Sequence, residues 1–196
     1  MDTWRVERDQ CVYTACYCEE NIWKLCESWK QNDANHLATL YAVFISNERR
    51  QIPLWEQKSS SRDDRLAIWD YHVILVDKSP SSTMIYDFDT TLPFPISVND
   101  YLQLAIRDES NLLRKYHREF RVIPAQQYLD TFASDRSHML KEDQVTYNAP
   151  PPTYPPISNE TLIGSTNNIN DFIDMKSINV PGTVMNLTDF RRFLGI

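Results

Sequence analysis

The sequence predicts an α+β fold, a single domain in which a mostly antiparallel central sheet is flanked by helices. An amphipathic helical run stands near the start, and short apolar strand-like runs follow it. Two of those runs are joined by a turn too short to hold a crossover helix. A length of 196 residues suits one domain, and 42% hydrophobic with 24% charged residues is the balance of a chain that builds a core.

Residues 18–31, CEENIWKLCESWKQ, put Ile22, Leu25, Cys26 and Trp29 on one face at helical spacing. Strand-like runs follow at Tyr41–Ser46, Ile52–Glu56 and Leu66–Asp77. A fourth, Met84–Asp89, is separated from the third by Lys-Ser-Pro-Ser-Ser, a turn signal that makes the two a hairpin. Asp100–Tyr116 reads as a helix through Tyr101, Leu102, Ala105, Ile106, Leu112, Leu113 and Tyr116. A strand at Phe120–Ile123, a helix at Ala125–Phe132 and a polar loop at Ser134–Met139 come next. The Pro-rich segment 149–156, APPPTYPP, favours extended polyproline geometry laid over a surface. Short helices at Asn170–Met175 and Thr188–Leu194 follow, the last stopped by Gly195.

Composition removes several functions. With three glycines the chain carries neither GxGxxG nor a P-loop, so no phosphate cradle is expected. A net charge of −7, a pI near 5.1 and no basic stripe argue against nucleic acid. An acidic surface instead suits a cationic ligand such as a peptide α-ammonium. The polar, mixed-charge run Met1–Asp9 does not read as a targeting signal, and no apolar run is long enough to span a bilayer. A cytosolic or nuclear place is therefore expected, with the sequons at Asn159 and Asn186 as chance matches. There Cys11, Cys16, Cys18 and Cys26 should be thiols, and their spacing lacks the C-x2-C of zinc ribbons, so no metal is expected.

Cys18 opens the first predicted helix, where unpaired backbone N–H groups and the helix dipole favour a thiolate and can stabilise an oxyanion. Glu19 and Glu20 oppose that thiolate. A buried, inert cysteine is the alternative; composition does not choose between Cys16 and Cys18, and the helix-start position favours Cys18. A two-residue hairpin loop at Ser79-Pro80 would set His72 directly opposite Asp87, within reach of a hydrogen bond. Asp87 would then fix the imidazole tautomer and leave the other nitrogen for Cys18, the logic of a nucleophilic triad; a one-residue slip would put the two on opposite faces. An ordinary cross-strand His–Asp pair is the plainer alternative. His138 could meet a substrate or bond locally, while His36 and His117 read as surface residues. Pro151-Pro152-Thr153-Tyr154 fits a WW-domain ligand, or its tyrosine packs on the body.

The runs CVYTACYCEENIWKLCE (11–27), YAVFISNERRQIPLWEQ (41–57), IWDYHVILV (68–76) and IYDFDTTLPFP (85–95) resemble the protein N-terminal glutamine amidohydrolase family. FRVIPAQQYLDTFASDRSHM (120–139), PPPTYPPI (150–157) and NDFIDM (170–175) extend the resemblance over nearly the whole chain. It implies a papain- or transglutaminase-like cysteine hydrolase that converts an N-terminal Gln side chain to Glu with release of ammonia, an early step of the arginine N-degron pathway. It places Cys18, His72 and Asp87 on the catalytic positions and favours Cys18 over Cys16. No cofactor is implied; the expected partners are peptides and proteins with N-terminal Gln, met by a monomer. A free α-ammonium must then be read, and Glu19, Glu20, Asp70 and Asp89 are the candidates. A peptidase or transglutaminase on the same triad, and a non-catalytic adaptor built on the Pro-rich run, are the readings from other classes.

Overall fold

A computed structural model describes residues 6–159 and 166–196 of the chain. The first five residues of the run read for a targeting signal, and Glu160 and Thr161 of the first sequon, lie outside the described residues.

Helix α1, Cys18–Asn32, turns Ile22, Leu25, Cys26 and Trp29 inward, as the spacing predicts. The strands are β1 Leu40–Ser46, β2 Ile52–Leu54, β3 Ala67–Trp69, β4 His72–Ser79, β5 Ser82–Tyr86, β6 Ile96–Ser97, β7 Glu119–Pro124 and β8 Thr183–Asn186. Six form one antiparallel sheet in the order β6-β5-β4-β1-β7-β8, and β2 pairs with β3 separately. Helices α2 Val98–Tyr101, α3 Ala125–Thr131, α4 Ile169–Ile173 and α5 Leu187–Leu194 complete an α+β fold with helices on both faces of the sheet.

Period-2 alternation builds two cores from the same strands. Ala42, Phe44, Val73 and Leu75 face α1, α3 and α4, where Phe44, Tyr128, Phe132 and Phe172 pack ring on ring. Val43, Ile45, Ile74 and Val76 face the other way, toward Tyr101, Leu102, Phe190 and Leu194. The central strands are thus apolar on both sides, which explains their near-continuous hydrophobic runs.

Three differences from the sequence reading bear on the architecture. The run Leu66–Asp77 is two strands, broken at Asp70-Tyr71: Ser46 Oγ donates to the Asp70 carbonyl and the Asp70 carboxylate takes the Tyr71 N–H, so side chains replace the ladder there. The helix predicted over 100–116 is α2 followed by a π-helical turn, Leu102–Ile106, and stops at Arg107, whose φ is +63°. Its end is held by the buried Arg118 guanidinium, which donates to the carbonyls of Pro53, Ile106 and Arg107 and pairs with Glu109 at 2.9 Å. Edge strand β8 lies in a stretch for which the sequence carries no strand signal. It follows Gly182, where φ is +108° and a Cβ would stand 2.7 Å from Ile123 Cγ1 and 2.9 Å from the Val122 carbonyl oxygen. No helix among the described residues is long and apolar enough to cross a membrane.

Candidate active site

Cys18 is the first residue of α1, placed there by a pinned turn. Asn21 accepts from the Thr14 N–H at 2.8 Å and donates to the Thr14 carbonyl at 2.9 Å, and Cys16 takes the left-handed backbone, φ +69°. Cys16 is thereby exposed and Cys18 buried, at 7% of its free surface. The Val73 N–H points at the Cys18 sulfur, whose thiol donates to Glu19 Oε2 at 3.7 Å. The Tyr71 hydroxyl donates to the same oxygen at 2.9 Å.

His72 begins β4 and is fully buried. Its Nε2 lies 2.9 Å from Asp87 Oδ1, and its ring stacks on Trp69 with centroids 5.2 Å apart. Trp69 is itself held by its indole N–H on Gln57 Oε1 at 3.2 Å. Asp87 follows β5 directly. Its Oδ1 also accepts the Asp89 N–H at 2.9 Å, and its Oδ2 accepts the Tyr101 hydroxyl at 2.9 Å. These bonds leave His72 Nδ1 buried and without a hydrogen-bond partner.

The hairpin register is not the expected one. Ser79 pairs with Ser82 and Leu75 with Tyr86, so the loop is Pro80-Ser81 and Asp87 is two positions away from facing His72. A slip of two residues preserves the face of every side chain, so the contact survives on the diagonal.

Electrostatics also correct one expectation. Burial pushes the Cys18 thiol well above its ordinary value, and Glu19 and Asp89 push it further; only the Val73 N–H among the leading influences opposes them. Helix-start stabilisation does not prevail, because removal from water is the largest influence on the sulfur and the carboxylates of Glu19 and Asp89 add to it. For His72, burial acts to lower the pKa, but the charge and hydrogen bond of Asp87, with Asp89 and Glu19, outweigh it and raise it. Burial acts to raise Asp87, and His72 with the Asp89 N–H and Tyr101 hydroxyl hold it below the usual carboxylate value. Cys18 is thus biased toward the thiol, and His72 is a more basic imidazole than usual.

A cleft of about 310 Å³ opens over Cys18, lined among others by Trp69, Asp70, Asp89, His138 and Ile173. A wider hollow of about 650 Å³ beside it, between residues 7–13 and 88–94, reaches neither Cys18 nor His72. The four candidate acids separate by position. Glu20 is fully buried and grips Arg136 through two bonds of 2.9 Å. Glu19 is sealed beneath the cleft floor. Its Oε1 stands 3.5 Å from His138 Nε2 without a hydrogen bond. Asp70 is exposed at the rim. Asp89 lines the cleft, 7% exposed, with Oδ1 accepting the Tyr13 hydroxyl at 2.7 Å. One atom each of His72, Asp87 and Asp89 lie within 4.8 Å of one another; these are metal-ligand types, but Asp87 has both oxygens committed to hydrogen bonds.

Tyr13, Trp69, Tyr71 and Tyr101 orient this site and were not singled out from the residues. A tyrosine at an apolar helical position, such as Tyr101, reads as core until its hydroxyl is seen to meet Asp87. His138 joins the cleft, whereas His36 and His117 are half-buried rather than surface residues: His36 pairs with Asp77 at 2.7 Å on the Trp29 ring, and His117 meets the Leu112 carbonyl. Tyr154 packs on the body, its ring 5.1 Å from the Arg136 guanidinium carbon and 4.7 Å from Lys24 Nζ, while Arg136 also binds the Pro152 and Pro155 carbonyls.

Residues 13–194 match the family model described as N-terminal glutamine amidase. Among curated relatives, a protein N-terminal glutamine amidohydrolase of Danio rerio is 49% identical over 189 residues, 96% of this chain and 91% of the relative. The Homo sapiens protein of the same description is 47% identical over 189 residues, 96% and 90% of the two chains, and that of Drosophila pseudoobscura pseudoobscura 46% over 181 residues, 92% and 86%.

Proposed function

The chain belongs to the N-terminal glutamine amidase family, and from that premise we propose that it hydrolyses the side-chain amide of an N-terminal glutamine to glutamate and ammonia, with Cys18 as nucleophile, His72 as acid and base, and Asp87 as the group that orients His72. The observation that carries this reading is the 2.9 Å His72–Asp87 bond, which leaves the buried Nδ1 of His72 unclaimed, while Tyr71 and Asp89, on either side of that pair in the chain, line the cleft that holds Cys18.

Asp87 binds Nε2, so Nδ1 is the nitrogen that exchanges protons with the reaction. The Cys18 thiol gives its proton to Nδ1, and the thiolate adds to the glutamine Cδ. The carbonyl pair of electrons moves to oxygen, met by first-turn N–H groups of α1 that have no carbonyl within the helix. Collapse breaks the C–N bond as His72 returns the proton to nitrogen, releasing ammonia and leaving a thioester. Water, deprotonated by His72, adds to the thioester carbon; the C–S bond breaks, glutamate forms and Cys18 regains its proton. A high thiol pKa is compatible with this sequence, because an imidazole made more basic takes the proton as the attack occurs. The new N-terminal Glu is a substrate for arginylation, which places the reaction early in an N-degron pathway.

Incubating one peptide with N-terminal Gln and one with internal Gln, and following mass and ammonia, tests the proposal. Conversion of only the first, abolished by Cys18→Ala, is expected. Ammonia from internal Gln, peptide-bond cleavage, or activity surviving Cys18→Ala would refute it.

A further inference from the structure

We propose that Asp89 receives the α-ammonium of the substrate and that Tyr13 is the positioning residue that aims it. This deepens the amidase reading and rests on it.

Four acids could meet a cation near Cys18, and their surroundings leave one. Glu20 already has its cation in Arg136. Glu19 also has an unbonded oxygen, but it is fully buried, is not part of the cleft wall, and turns that oxygen toward His138 at 3.5 Å. Asp70 is exposed and bonded to its neighbour's N–H. Asp89 is more than nine-tenths buried, forms part of the cleft wall, and uses one oxygen for Tyr13 while the other has no hydrogen-bond partner among the described residues. Lys58, a cation whose charge acts on Asp89, donates instead to the Phe88 carbonyl at 2.8 Å. A buried carboxylate with a free oxygen in a cleft is costly unless a donor arrives. Burial duly pushes the Asp89 carboxyl above its ordinary value.

The reach is suitable. A glutamine separates its α-nitrogen from Cδ by four bonds, roughly 5 Å when extended. Asp89 has an oxygen within 4.8 Å of a His72 nitrogen, so an amine held there keeps its own side chain beside the triad. Tyr13 fixes the carboxylate from a segment that precedes α1, its ring stacked on Phe88 at 5.8 Å. Two exclusions follow from one anchor. An internal glutamine brings no cation and strands Asp89. An N-terminal asparagine, shorter by about 1.3 Å, holds its amide out of reach of Cys18, and a misplacement of that size costs on the order of a hundredfold in rate.

The test uses Cys18→Ala, which binds without turnover, titrated calorimetrically with a Gln-initiated peptide and with its Nα-acetylated form. The free amine should bind about 30-fold or more tightly. Adding Asp89→Asn should bring the two peptides within about threefold, and adding Tyr13→Phe should shrink the preference part-way. In otherwise wild-type enzyme Tyr13→Phe should raise KM more than it lowers kcat. A preference undiminished by Asp89→Asn, or an equal weakening of both peptides, overturns the assignment. Wild-type ammonia release, run alongside, separates the failures: present, it leaves the amidase reading standing when the Asp89 assignment fails; absent, it overturns both.

Discussion

His72 and Asp87 are joined at 2.9 Å although neither is the other's cross-strand partner, and both are wholly out of water. Asp87 stands just past the paired part of its strand, where the chain is free to turn the carboxylate back along the diagonal. Tyr101 and the Asp89 N–H hold it there. A carboxylate with three donors in a dry site is fixed in place before any substrate arrives, which is what the proposed role of orienting the His72 imidazole requires.

Asp87→Asn should lower kcat by about 10²–10⁴-fold while leaving the fold recognisable by circular dichroism. It should also change the dependence of stability on pH. His72 is raised, so its contribution is full below about 6.5 and is lost as pH rises through the folded value. Asp87 is lowered, so its contribution is full above about 3.8 and is lost as pH falls through the folded value. The Tm difference between wild type and Asp87→Asn should therefore be greatest between roughly pH 4 and 6.5 and narrow on either side. A difference that is flat with pH would show the pair to be uncharged.

Cys18 should resist alkylation in the resting enzyme. Its thiol lies well above the ordinary value, and 7% exposure limits access, so iodoacetamide at pH 8 should label exposed Cys16 first. Peptide mapping by mass spectrometry reads the order directly. Rapid labelling of Cys18 at neutral pH would mean a standing thiolate and would contradict the electrostatics described above.

Arg136→Met should cost about 3–5 kcal/mol, because it leaves Glu20 charged and alone in the interior. It also frees the Pro152 and Pro155 carbonyls and removes the cation under Tyr154. Limited proteolysis should then cut within 149–156 at protease levels that spare the wild type. For the same reason the wild-type segment should not bind a WW domain in a fluorescence titration, since Tyr154 is already engaged.

The pairing of His72 with Asp87 was legible because a hairpin has few possible loops and each one with the right parity keeps both residues on one face. The loop itself was not legible, since Ser79-Pro80 and Pro80-Ser81 are equally good turns by composition. The α1 face and the position of Cys18 came from spacing alone. The helix end at Ile106 did not, because it depends on Arg118, a dozen residues on, folding back to hold those carbonyls. β8 escaped notice because it is short, half-exposed and defined by a glycine that its neighbour on β7 requires. Among the acids, sequence proximity to the triad was no guide: Glu20, two residues from Cys18, is held by Arg136, whereas Asp89, two residues from Asp87, lines the cleft.

Cys18 belongs to the core packed under α1, while the hydroxyl that holds Asp87 is carried by Tyr101 in the core on the opposite face of the sheet. The proposed triad and its support therefore draw on both layers. In the proposed mechanism, loosening the first layer displaces Cys18, and loosening the second releases the carboxylate that orients His72. Turnover by that mechanism would report on the integrity of both halves together, so a form with one layer melted is expected to be inactive.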